Sequence, residues 1–236
     1  MSRRSRSRSQ SDTYLRSDSG RDDESDEGSS SAIVELLIVF VVVFAAQQVA
    51  AVIGIGVMAG LFVLAPPLTT NPWTIVTSVY AHGGIGHLVS NSLALIIFGW
   101  PVARATTRLR FHTFFLMTGV IAGISQIVLS GFLEGMPLVG AWFEQAPVLG
   151  ASGAVFALLG YLIASNRLST GLASFVDVPQ WLAVLVFVGL AAAVTLATAA
   201  PGVALLAHFT GLLVGLVAGR ARVLHVGGSG GRGSRV

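Results

Sequence analysis

The chain alternates long apolar runs with short polar breaks, and six of the runs come near the ~20 residues a helix needs to cross hydrocarbon. They lie at about 33–51, 86–103, 112–131, 151–166, 180–198 and 203–221. This pattern predicts an all-α fold, a polytopic membrane protein whose six transmembrane helices form one bundle over residues 32–222. The segment 52–81 is ambiguous. It is apolar up to Leu64, but Gly54, Gly56 and Gly60 interrupt it, and Pro66, Pro67 and Pro72 follow. A seventh span would fit its hydropathy. A re-entrant or interfacial loop fits its Gly and Pro spacing better, with Trp73 and Tyr80 at headgroup depth.

Both ends depart from this pattern. Residues 1–31 are mostly Ser, Arg, Asp and Glu, with Tyr14 and Leu15 as the one sizeable apolar pair. Such a segment buries too little surface to offset its ordering entropy, so a disordered polar tail is expected there. Solvation accounts for its basic half better than contact with anionic lipid does. The apolar run that follows begins too late for a secretory signal. Residues 223–236, with the run GGSGGRGSRV, are expected to form a flexible Gly-rich tail.

Composition narrows the class. Hydrophobic residues make up 53% of the chain and charged residues 11%, with a mean hydropathy of +0.78. Soluble domains carry about a quarter charged residues, so these values describe a membrane protein. Between Ala32 and Gly219 the charges are Glu35, Arg104, Arg108, Arg110, Glu134, Glu144, Arg167 and Asp177. The net charge of +3 therefore belongs to tails and loops, and no basic patch interleaved with aromatics argues for nucleic acid. With no cysteine, disulfides, thiolate metal sites and a Cys nucleophile are excluded.

Arginine also orients the chain. Arg104, Arg108 and Arg110 share one loop, Arg167 lies in another, and both ends are Arg-rich, whereas 52–81, 132–147 and 199–202 carry no basic residue. The positive-inside rule then expects both termini on the cytoplasmic side of the cell membrane and those three segments on the outer side.

Nearly all the polar chemistry sits in three apolar segments: HGGIGHLVSN (His82 to Asn91), GASGAVFALLG (Gly150 to Gly160) and AHFTGLLVGLVAG (Ala207 to Gly219). A polar group in hydrocarbon is costly without a partner, so intramembrane His, Asn and Ser beside glycines read as functional. Ser152 would open a helix, where unpaired N–H groups and the positive dipole end favour an oxyanion. GASGA also reads as a small-residue packing face. His208 precedes Gly211, Gly215 and Gly219, whose spacing makes a flat strip for a neighbouring helix; alternatively, a nearby carbonyl satisfies it. His87 and Asn91 share one helix face and both donate hydrogen bonds, as an oxyanion site requires. A zinc site of His82, His87 and His208 would lack a carboxylate base and the His-Glu-x-x-His pattern, so no metal and no cofactor are expected. His112 and His225 flank cytoplasmic loops and are expected in solvent, with Glu35 at the interface. Gln47 and Gln48 receive no role.

These residues resemble the rhomboid intramembrane serine proteases, of the archaeal or bacterial type with a six-span core. The resemblance covers about residues 33–221, in order: the His-x4-His-x3-Asn pattern at His82, His87 and Asn91, Gly-x-Ser-Gly at Gly150, Ser152 and Gly153, and Ala-His with Gly-x3-Gly at Ala207, His208, Gly211 and Gly215. Three departures stand out. Trp73 is followed by Thr74 where many members have Arg, Ala103 stands near where many carry Glu, and Phe156 replaces a Tyr four residues after the serine.

The resemblance implies an intramembrane serine endopeptidase that cleaves transmembrane segments of membrane proteins. Ser152 and His208 would form a catalytic dyad, His87 and Asn91 would hold the oxyanion, and His82, Gly150, Gly153, Phe156, Gly211 and Gly215 would support them. The partners expected are transmembrane protein substrates and the lipid bilayer. A non-catalytic scaffold that binds membrane proteins is the alternative, although such relatives typically lack the serine or the histidine. A small transporter would need charged pathway residues or an internal repeat, and neither is visible.

Overall fold

The structure is a computed structural model that describes residues 8–137, 140, 146–165, 180–198 and 204–225. Arg167, Glu144, Pro201 and the glycines of 226–236 lie outside the described residues. The described residues form nine α-helices, in chain order α1 (Arg8–Ile53), α2 (Ile55–Phe62), α3 (Thr74–Tyr80), α4 (Ile85–Ala94), α5 (Trp100–Ala103), α6 (Arg108–Glu134), α7 (Ser152–Ser165), α8 (Gln180–Ala197) and α9 (Leu205–Arg220). A π-helical turn, Leu95–Gly99, joins α4 to α5, so the two run on as one rod. Among the described residues the sole β pairing is an antiparallel bridge between Leu64 and Val148. The fold is an all-α, rhomboid-like bundle.

Three helical stretches are long and apolar enough to cross a membrane: Ser31–Ile53, Ile85–Ala103 and Arg108–Glu134. Three more are apolar but shorter, Ser152–Ser165, Val184–Ala197 and Leu205–Arg220. All six fall on the runs expected from hydropathy. Their outer faces stay apolar: Val49, Val52 and Ile53 on α1 and Val184, Leu185 and Val186 on α8 are exposed. In water such a surface would aggregate; facing acyl chains it is already solvated.

The ambiguous segment 52–81 forms two short helices, neither long enough to span. Gly54 ends α1, and the proline-bearing stretch 66–72 separates α2 from α3. The last carbonyls of α2 have no helical donor of their own, and α3 supplies donors instead. Trp73 Nε1–H donates to Gly60 O at 2.8 Å, and Thr77 Oγ1–H donates to Leu61 O at 2.5 Å. Thr74, where an Arg was the family expectation, is buried and bonds locally, Oγ1–H to Asn71 O at 2.6 Å.

Helix α1 takes in most of the polar segment 1–31, running from Arg8 to Ile53. A nucleated helix extends at little cost per residue, and no proline stands before Ile53 to stop it. At the other end, the turn after α9 still belongs to the packed unit. Leu224 is buried, and Tyr161 Oη and His225 Nδ1 are 3.2 Å apart.

One core joins Leu36 and Phe40 of α1, Leu95 of the π-helical turn, Phe111 and Phe115 of α6, and Leu158 and Tyr161 of α7. A second joins Ala164 of α7, Ala191 of α8 and Leu212 and Leu216 of α9. At the α1–α6 end, Glu35 pairs with Arg108 and with His112 Nε2 at 2.8 Å, and accepts from Ser31 Oγ at 3.0 Å. His225 is exposed, as expected, while also meeting Tyr161, and His112 is half-buried against Glu35.

Candidate active site

The closest helix packing in the molecule is between α7 and α9, and small residues make it. A Cβ on Gly211 would run into Gly153 O, one on Gly215 into Ala157 O, and one on Gly219 would come within 2.5 Å of Tyr161 O. Gly160 returns the contact, facing Leu212 O. These levels rise together, so α7 and α9 run parallel with their backbones in contact, as a Gly-x3-Gly strip allows. Their first turns therefore meet at one end of the bundle.

There Ser152 begins α7 and His208 lies in the first turn of α9. His208 Nε2 is 2.9 Å from Ser152 Oγ. The imidazole is buried and stacks on Phe156, ring centroids 4.1 Å apart and planes 18° apart. Nε2 accepts from the hydroxyl in the tautomer that carries the ring proton on Nδ1, a nitrogen with no hydrogen-bond partner among the described residues. Among the described residues no carboxylate orients this histidine. The aromatic stack and the backbone of α9 do.

His87 and Asn91 approach the same place from α4. The backbone N–H of Gly83 donates to His87 Nδ1 at 3.3 Å, which leaves Nε2 as the protonated nitrogen. That nitrogen sits over Gly150: a Cβ there would lie 2.7 Å from His87 Cε1 and 3.0 Å from Nε2. Gly150 also has φ +137, a left-handed conformation that residues with a Cβ rarely adopt, and its N–H donates to Ser78 O at 2.9 Å. Two independent constraints thus require glycine two residues before the serine. Asn91 is buried, and its Nδ2 donates to His87 O at 3.0 Å, leaving the second amide proton for another acceptor. The first N–H groups of α7 precede its first intrahelical bond, Val155 N–H to Ala151 O, and add donors beside Ser152.

A cavity of about 660 Å³ opens among these groups and is lined by Ser152, His208, His87 and Asn91, with Phe156, Gly150 and Gly153 on its walls. His82 stands behind it, outside the lining. It is buried edge-on to Phe40 (4.8 Å, 61°) and to His87 (5.4 Å, 71°). Among the described residues no three His, Asp or Glu gather as metal ligands.

Two residues that the sequence reading passed over support this site. Buried Gln47 of α1 clasps the His82 backbone, accepting from His82 N–H at 2.9 Å and donating to His82 O at 3.3 Å. Gln126 of α6 accepts from Ala207 N–H at 3.1 Å. Each binds a backbone group far along the chain, so no local spacing betrays it.

Parts of the chain are similar to known proteins. Rhomboid protease GluP of Bacillus subtilis is 35% identical over 98 residues, 40% of this chain and 17% of that protein. The Arabidopsis thaliana RHOMBOID-like protein 6, mitochondrial, is 35% identical over 92 residues, 39% of this chain and 25% of its own. RHOMBOID-like protein 1 of the same plant is 33% identical over 92 residues, 39% and 20% respectively. The alignments span a quarter or less of the length of these relatives. The Rhomboid domain matches residues 69–225, which take in α3 to α9 and every residue lining the cavity, and the chain therefore belongs to the rhomboid family of membrane proteins.

Proposed function

We propose that this protein is an intramembrane serine endopeptidase that hydrolyses peptide bonds in transmembrane segments of other membrane proteins, using Ser152 and His208 as a dyad. The observation that carries the reading is the 2.9 Å approach of His208 Nε2 to Ser152 Oγ, inside a cavity that also holds hydrogen-bond donors.

In the proposed reaction His208 Nε2 takes the proton of Ser152 Oγ as the oxygen attacks the scissile carbonyl carbon. The carbonyl oxygen becomes an oxyanion. Ser152 N–H, His87 Nε2–H and the second proton of Asn91 Nδ2 would stabilise it, each donor lowering the barrier by about 2–4 kcal/mol. The C–N bond then breaks, and His208 gives its proton to the leaving amine. An acyl-enzyme on Ser152 remains. Water attacks it with His208 again as base, and collapse of the second intermediate restores the serine. No cofactor enters any step.

A stable helix hides its carbonyls in its own hydrogen bonds, so the substrate must unwind locally to reach Ser152. The segment 52–81 and α8 are the proposed gate elements, since a substrate enters laterally. With the termini on the cytoplasmic side, as the arginines favour, the cavity opens toward the outer side of the membrane. The domain division proposed is a polar segment at 1–31, the membrane bundle at 32–222 and a Gly-rich segment at 223–236.

The test is cleavage of a purified single-span protein in detergent micelles. The wild-type chain should cut it, and Ser152→Ala and His208→Ala should not. Binding without cleavage by the wild-type chain would favour the scaffold reading, which the RHOMBOID-like names of the plant relatives leave open.

A further inference from the structure

The N-terminus of α9 has no cap of its own. Its N-cap residue, Ala204, carries no side-chain acceptor, and the first intrahelical bond is His208 N–H to Ala204 O at 3.1 Å. The N–H of Ala207 thus lies in a turn without a helical acceptor. Gln126 supplies one from α6, accepting this N–H with Oε1 across 81 residues of sequence. Gln126 is buried, and it shares a face of α6 with Gly119 and Ala122. That face is a template for both halves of the dyad. A Cβ on Gly119 would meet Val79 Cγ1 at 2.5 Å and Ala154 Cβ at 3.4 Å, and a Cβ on Gly153 would meet Ala122 Cβ at 2.5 Å. One turn further along, Gln126 takes hold of the residue directly before His208.

We infer that Gln126 is a positioning residue for the proposed reaction: its side-chain oxygen caps α9 at Ala207 and thereby holds the His208 imidazole against Ser152. This rests on the protease reading. The tight glycine contacts hold α9 from Gly211 onward, whereas a Cβ on Gly153 would meet Ala207 O only at an ordinary 3.7 Å, so His208 lies in the turn where a helix frays most readily. The stack on Phe156 orients the ring plane; the Gln126 bond sets the height of the backbone beneath it. In apolar surroundings an unpaired N–H finds no water to replace the lost partner, so the bond persists. Displacement of a catalytic group by ~1 Å costs on the order of a hundredfold in rate.

Two variants separate the hydrogen bond from the bulk of the side chain. Gln126→Met keeps length and volume without a comparable acceptor, whereas Gln126→Glu keeps an accepting oxygen in either protonation state. The full chain in detergent would be labelled at Ser152 with a fluorophosphonate over a range of probe concentrations. Gln126→Met should lower the saturating labelling rate by about ten- to a hundredfold with the half-saturating concentration unchanged, and Gln126→Glu should restore most of it. Wild-type rates in Gln126→Met, or equal losses in both variants, would overturn the inference. Hydrogen exchange at the Ala207 amide needs no activity and tests the cap itself. Exchange there should quicken about tenfold or more in Gln126→Met while Leu212 and Leu216 keep their protection. Unchanged exchange would overturn the cap even if labelling fell. If the wild-type chain took no label, the protease reading and the catalytic half of this inference would fall together, and exchange would decide the cap alone.

Discussion

His208 lies flat on Phe156, with ring centroids 4.1 Å apart and planes 18° apart. In a triad a carboxylate would hold Nδ1; here Nδ1 has no partner among the described residues, and the stack takes over the orienting role. An aromatic pair contributes about 0.5–1.5 kcal/mol beyond burial. Phe156→Ala should therefore reduce turnover by about tenfold, and Phe156→Tyr should keep it near the wild-type rate. Equal rates in wild type and Phe156→Ala, measured on one transmembrane substrate, would show that the backbone of α9 orients the histidine without the ring.

The packing of α7 on α9 yields a prediction with a built-in control. A methyl group on Gly211 would meet the Gly153 carbonyl, whereas a Cβ on Gly189 of α8 has nothing within 4 Å. Overpacking of this kind costs about 1–3 kcal/mol. Gly211→Ala should lower the melting temperature and abolish activity, and Gly189→Ala should do neither. Comparable melting of the two variants would contradict the close approach of these helices.

Asn91 should act on turnover and not on activation of the serine. Its amide spends one proton on His87 O, so the other is the candidate oxyanion donor. Asn91→Ala should lower kcat by about a hundred- to a thousandfold while Ser152 still takes a fluorophosphonate. An unaltered kcat would remove Asn91 from the oxyanion site.

The cluster of Glu35, Arg108 and His112 should matter little. The Arg108 side chain is 56% exposed and that of Glu35 34%, and exposed ion pairs contribute about 0–1 kcal/mol. Glu35→Gln should shift the melting temperature by a degree or two at most and leave proteolysis unaltered. A large drop would mean that this contact carries the docking of α1 on α6.

What the sequence made legible follows from where chemistry stands out against an apolar background. Ser152, His208, His87 and Asn91 were readable because each is polar within a run that is otherwise suited to lipid, and the structure brings all four to one cavity. The Gly211, Gly215, Gly219 spacing announced a flat helix face, and its partner proved to be the serine helix. Gln47 and Gln126 were not readable. Each satisfies a backbone group 35 or 81 residues away, and a lone glutamine in an apolar run has no periodicity to mark it. The segment 52–81 was only half legible, because hydropathy does not distinguish a span from two short helices whose ends are tied by Trp73 and Thr77. The contact of His112 with Glu35 was likewise invisible, since it joins residues 77 apart.

Activation of Ser152 by His208 is the central claim, and labelling of the purified chain by a fluorophosphonate tests it most directly. Wild type should take the probe at Ser152, while Ser152→Ala and His208→Ala, shown to be folded, should not. Labelling of His208→Ala at the wild-type rate would contradict the dyad, and a folded wild-type chain that takes no label would contradict the protease itself.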